Sequence, residues 1–314
     1  MRDQKNRCIF LAALSFGLLG CGGGQEAEQE KPTPSPAVPS IPSGSPAPPS
    51  DSVVPSEPVI PPIDGWKLVW NDEFSTSTNG LPDAAKWAYD TYRNPTGWFN
   101  GELQYYSQNR TENARVEDGK LIITARRERL SSAADHGNQN YTSARLYTKG
   151  KASWTYGRWE IRAKLPCALG TWPAIWMLGD GIPDTGVWPL DGEIDIVEQK
   201  GFDAGEKTRV LGTVHMQAYH GGNSKGKTVS LPAACTDFNV YQMEWDESRI
   251  QIGVNGTHYF TYTNPKNGNV NEWPFFKPQH LLLNVAVGGV LGGTVRDDQL
   301  PASMEIDYVR VYQR

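Results

Sequence analysis

The chain has 314 residues, a formal net charge of −5 and 38% hydrophobic residues. That length holds one large domain or two small ones. The acidic balance excludes a basic, phosphate-gripping face and with it a nucleic-acid partner. No run of roughly eighteen apolar residues follows the N-terminus, which excludes a transmembrane helix in the body.

Arg2, Lys5 and Arg7 give a basic start and Ile9 to Leu19 a short apolar core, the pattern of an export signal. Leu18-Leu19-Gly20-Cys21 resembles a bacterial lipobox, whose cysteine becomes the lipid-bearing first residue. This resemblance implies a signal peptide over 1–20, lipid on Cys21 and a membrane anchor. Gly22 in place of aspartate implies the outer membrane as the address. Export permits disulfides. With Cys8 removed and Cys21 lipidated, Cys167 and Cys235 remain, either as a bridge or as two buried thiols.

Residues 21–63 read as a tether. Positions 25–63 hold 12 of the 23 prolines, many serines and no aromatic residue. Such a segment buries too little apolar surface to offset the entropy of ordering, so it is expected to act as a semi-rigid spacer. The remainder, 64–314, contains all 11 tryptophans and reads as one domain.

In chain order, strands are expected at Lys120–Thr124, Gly157–Leu165, Tyr241–Trp245, Arg249–Val254, His258–Tyr262, Leu281–Val287 and Met304–Tyr312. Apolar and polar residues alternate in Arg158-Trp159-Glu160-Ile161-Arg162-Ala163. Asn255-Gly256 lies between two such runs and predicts a hairpin turn with positive φ. No long helical period interrupts them. The reading is all-β, a sandwich or barrel.

One more strand carries the chemistry. In Glu193-Ile194-Asp195-Ile196-Val197-Glu198, period-two alternation puts Glu193 and Asp195 on one face and Ile194 and Ile196 on the other. Glu198 is five residues from Glu193 and points to the wrong side. One extra residue bulged out near Val197 restores it, and all three acids then line one surface. Four effective strand steps, less the reach of two glutamate side chains, leave roughly 6 Å between the outer carboxyl groups. A retaining glycosidase pair needs about 5–5.5 Å. The plain alternative is an acidic, solvated strand face.

This stretch resembles the signature of glycoside hydrolase family sixteen, in the laminarinase (endo-β-1,3-glucanase) branch with the extra residue before the last glutamate. The runs Glu102-Leu103-Gln104-Tyr105-Tyr106, Gly170-Thr171-Trp172-Pro173-Ala174-Ile175-Trp176-Met177-Leu178 and Ile306-Asp307-Tyr308-Val309-Arg310-Val311-Tyr312 are similar to laminarinase motifs in order and spacing. The resemblance covers 65–314. It implies a β-jelly roll of two curved antiparallel sheets with a concave sugar cleft, and retaining hydrolysis by double displacement. Glu193 would be the nucleophile, Glu198 the acid and then the base, and Asp195 the residue that hydrogen-bonds the nucleophile. Crowded acids raise at least one pKa.

The same resemblance implies sugar platforms at Trp172, Trp176 and Trp188, with Trp159 and Trp245 left to the core. It implies glucan hydroxyl ligands at Asn100 and Arg145. His215 falls where a neighbouring strand faces the acids, with a histidine satisfied inside the sheet as the alternative. Met216 stands where many laminarinases have an aromatic residue, which puts the local subsite shape in doubt. One structural calcium is implied at Glu73, Gly119 and Asp307. No catalytic cofactor is implied, and the chain is expected to act as a monomer on β-glucan. Alternatives are hydrolysis of mixed-linkage β-glucan or a galactan, and a non-catalytic β-glucan-binding lipoprotein. A serine or cysteine hydrolase lacks its nucleophile elbow here.

Overall fold

Apolar residues at alternate positions have to be covered on one face, and two sheets achieve this by covering each other. The computed structural model describes residues 60–77 and 79–314. The signal peptide, Cys21 and all but the last residues of the tether lie outside the described residues. Within them stand a ten-stranded and a seven-stranded sheet, and a single short α-helix, Gly289–Gly292. The architecture is the expected two-sheet jelly-roll sandwich.

The seven-stranded sheet runs, from edge to edge, Lys225–Ser230, Arg209–His215, Glu193–Glu198, Thr171–Gly179, Gln279–Val287, Arg145–Tyr147 and Ala88–Tyr89. Every pairing in it is antiparallel. Its inner face supplies Ile175, Met177, Ile194, Ile196, Val197, Leu281, Leu283 and Val285 to the core. The ten-stranded sheet answers with Leu121, Ile123, Ile161, Met243, Ile306, Val309 and Val311. Trp159 and Trp245 stack in this core, ring centroids 5.9 Å apart, as structural residues.

The seven strands expected from the sequence form, mostly with one or two residues added at an end. Gly157–Leu165 instead ends one residue early, as Gly157–Lys164, while Leu281–Val287 gains two, as Gln279–Val287. Asn255 and Gly256 take φ of 49° and 82°, and Val254 pairs with Thr257 across them. Cys167 and Cys235 are joined as a disulfide, Cα atoms 5.2 Å apart.

Candidate active site

The acid strand bulges between Asp195 and Val197. Against Thr171–Gly179 the pairs are Asp195 with Trp176, then Val197 with Ile175 and Glu198 with Ala174. On its other side Asp195 pairs with Thr213 and Glu198 with Leu211. Ile196 and Val197 thus both enter the core, and Glu198 returns to the face of Glu193 and Asp195. Gly212 lies opposite the bulge. A Cβ there would meet Ile252 Cγ2 at 2.7 Å and Tyr259 Oη at 2.9 Å, so only glycine lets the sheets close over the extra residue.

The strand Thr171–Gly179 puts Trp172, Ala174, Trp176 and Leu178 on the acid face and buries Ile175 and Met177. Trp172 Nε1 donates to Glu198 Oε1 at 2.9 Å. Trp188, 44% exposed, donates its Nε1–H to Glu193 Oε2 at 2.7 Å. The two outer acids are each held by an indole N–H. Trp188→Phe keeps a ring and removes that donor. A hydrogen bond to a charged group is worth about 1.5–3 kcal/mol, so kcat on glucan is expected to fall roughly 10- to 100-fold. Steady-state kinetics check this, and an unchanged kcat would contradict it.

His215 pairs directly with Glu193 across the strands and faces the acids. Its Nε2 lies 3.2 Å from Asp195 Oδ2 and 3.9 Å from Glu193 Oε1. The first contact is an ion pair whenever the ring is protonated. The backbone N–H of Gly221 donates to Nδ1 at 3.2 Å, which keeps the proton of neutral His215 on Nε2, toward the acids. Glu193, Asp195 and His215 offer ligand atoms within 4.8 Å of one another. With its proton on Nε2, His215 there serves as a donor to carboxylates. Met216 is buried in the core, because its neighbour His215 takes the cleft side. Its departure from the family pattern therefore does not alter the cleft wall directly.

Burial pushes Glu193 up to about 8, with Asp195 adding to it and His215 and Trp188 opposing. Burial and then Asp195 push Glu198 well above the usual carboxylate range, and the Trp172 bond only partly offsets them. Burial alone would lower His215, but Asp195, Glu193 and Glu198 outweigh it and raise it to about 9. Such a cluster holds its protons more tightly than free carboxyl and imidazole groups do, and titrates as a unit.

Arg145 carries its guanidinium over two rings, Cζ 5.1 Å from Trp98 and 4.6 Å from Trp176, with Nε 2.9 Å from Asp90 Oδ2. Asn100 is exposed on the turn Phe99–Gly101 with φ of 59°. That turn is fastened to the cleft sheet by the Glu102–Gly288 bridge and by Leu103 N–H to Val287 O at 2.9 Å. Sequence reading assigned no role to Glu102, Tyr106 or Asn284. Trp176 Nε1 donates to Asn284 Oδ1 at 2.7 Å, and Asn284 Nδ2 donates to Tyr106 Oη at 3.0 Å. Gln104 Nε2 donates to Glu102 Oε2 at 2.8 Å. The one signal for Asn284 was a lone amide inside the apolar run Leu281–Val287.

The implied calcium ligands stand apart from this face. Glu73 takes two hydrogen bonds from Arg310, at 2.9 and 2.7 Å, and Asp307 takes one from Arg162 at 2.5 Å. Gly119 is in the turn before Lys120–Arg127. As placed, both carboxylates are spent on guanidinium groups, which leaves backbone carbonyls as the open donors for a cation.

Carboxylates on both sides of a central acid, indole rings beside them and an open, polar sheet face define the site of a glycoside hydrolase. Residues 101–310 match the family described as glycosyl hydrolases family 16. A β-glucanase of Rhodothermus marinus is 48% identical over 257 residues, 79% of this chain and 85% of that protein. The solved laminarinase of the same organism superposes with a TM-score of 0.72 at 49% identity, over 79% of this chain and 97% of that one. A solved non-specific endo-β-1,3(4)-glucanase of the family gives 0.75 at 48% identity, over 82% of this chain and 94% of its own. The chain belongs to glycosyl hydrolase family 16.

Proposed function

We propose that this protein cleaves internal β-1,3-glucosidic linkages of laminarin-type β-glucans with retention of configuration. The observation that carries the reading is the bulge, which aims Glu193, Asp195 and Glu198 at one cleft beside Trp172 and Trp188. Glu193 attacks the anomeric carbon as Glu198 gives its proton to the departing glycosidic oxygen. Water then enters as Glu198, now ionised, takes its proton, and the Glu193 ester bond breaks. Burial and the nearby Asp195 raise Glu198, which suits a proton donor. His215 and Trp188 support the charge on Glu193 against the repulsion of Asp195. Trp172, Trp176 and Trp188 stack sugar rings, and Asn100 and Arg145 bind hydroxyls.

Reducing-end release from laminarin, lichenan and agarose tests the reading, with the first-formed anomer followed by NMR. Laminarin cleavage giving the β-anomer is expected. No cleavage, or the α-anomer first, would overturn it. The non-specific relative favours some cleavage of mixed-linkage glucan as well.

The same proposal has the enzyme exported, lipidated on Cys21 and held off the outer membrane by the tether as a monomer. A mature N-terminus without lipid by mass spectrometry would refute the anchor. A structural calcium would use the carbonyls of Glu73, Gly119 and Asp307, with Asp307 exchanging Arg162 for the ion. A chelator that leaves the Tm unmoved would refute it.

A further inference from the structure

Lys207 is a buried cation that the chemistry above does not use. It is 3% exposed, in the turn Glu206–Thr208 that leads into the strand Arg209–His215. Its ammonium donates to Thr171 O at 2.9 Å, Thr171 Oγ1 at 2.8 Å and Gln199 Oε1 at 3.1 Å. Three neutral acceptors meet its three protons. Gln199 Nε2 returns a bond to Lys207 O at 2.8 Å, and Thr171 Oγ1 donates onward to Ala168 O at 2.6 Å. Among the described residues no carboxylate pairs with it, and burial holds the ammonium down to about 7.

A charge buried without a counter-ion costs several kcal/mol, and an apolar side chain would fill the space more cheaply. What the ammonium secures is specific. Thr171 immediately precedes Trp172, and Gln199 immediately follows Glu198. Trp172 and Glu198 are hydrogen-bonded to each other on the cleft face. Alternation places the side chains of Thr171 and Gln199 away from that face. The same two strand ends are therefore joined twice, by the indole–carboxylate bond in the cleft and by the ammonium behind it.

We propose that Lys207 is a positioning residue for the proton donor, fixing the Glu198 and Trp172 strand ends from behind the sheet. This rests on Glu198 being the acid of the reaction. A dropped clamp lets Glu198 drift from the glycosidic oxygen while Glu193, several residues up the strand, keeps its bond to Trp188 and its strand pairing with His215. A displacement on the order of 1 Å is worth roughly 100-fold in rate.

The test is Lys207→Met, with Thr171→Val as the milder variant that removes one of the three acceptors, against two substrates. Laminarin needs its leaving oxygen protonated; dinitrophenyl β-laminarioside has a leaving group that departs without help. Lys207→Met is expected to lower kcat on laminarin about 10- to 100-fold with little change in KM, and to leave glycosylation by the aryl substrate within about twofold. Thr171→Val is expected to follow in the same direction with a smaller loss. Equal losses on both substrates would assign Lys207 to general structure, and no loss on laminarin would remove it from the reaction; either overturns the proposal. If Lys207→Met does not fold, Thr171→Val decides by the same ratio. A wild type inactive on laminarin would instead refute the functional reading itself.

Discussion

Replacing Glu193 by glutamine is expected to leave the fold intact and to abolish hydrolysis of laminarin. The amide keeps the volume and can still accept from Trp188 Nε1, so the contact at 2.7 Å survives. It cannot form the glycosyl ester, and without that step the double displacement has no first half. Glu198→Ala should behave differently. Loss of a general acid costs about 100- to 10,000-fold on laminarin. The nucleophile remains, so dinitrophenyl β-laminarioside should still form the glycosyl-enzyme. Azide should then rescue turnover, since the alanine leaves space for an anion, and the product should be the β-glycosyl azide. Product analysis by NMR separates the two roles. An α-azide from Glu198→Ala, or wild-type turnover by Glu193→Gln, would reverse or end the assignment.

The second large effect is on stability in alkali. Glu193 is raised from 4.5 to about 8, and His215 from 6.5 to about 9. A raised carboxyl contributes stability below 4.5 and loses it as pH rises through about 8. A raised imidazole contributes below 6.5 and loses it as pH rises through about 9. Both contributions therefore decline between about pH 5 and 9, at about 1.4 kcal/mol for each tenfold difference in proton affinity between the folded and unfolded chain. Lys207, lowered to about 7, works in the opposite sense, so the clean quantity is the difference between variant and wild type. Glu193→Gln never ionises at this position. It is expected to be close to wild type in Tm at pH 4–5 and several degrees above it near pH 9. Calorimetry across this range measures the gap. A gap that stays constant or narrows with rising pH would show that Glu193 is not held as a destabilised anion. With the expected widening, the site is one where stability is given up for chemistry.

Glu193-Ile194-Asp195-Ile196-Val197-Glu198 was legible as a bulged strand because the period-two pattern breaks at one place only. The long strands of the core were legible for the same reason. Short strands such as Ala88–Tyr89 and Arg145–Tyr147 were not, since two or three residues carry no period. Lys207 gave no sign at all. A lysine between a glutamate and a threonine reads as solvated, and only the return of the chain over Thr171 and Gln199 buries it.

The sequence by itself determined which residues alternate, where the ribbon must kink and which side of it the acids take, because these depend on covalent geometry and near neighbours. It could not decide what lies opposite each side chain. The indole N–H groups on Glu193 and Glu198, the imidazole beside Asp195 and the rings around Arg145 come from other strands and loops of the chain. Those partners, together with the depth at which the sandwich buries the acids, set the protonation of the site. Desolvation and charge proximity are properties of the assembled sheets, and no single segment carries them.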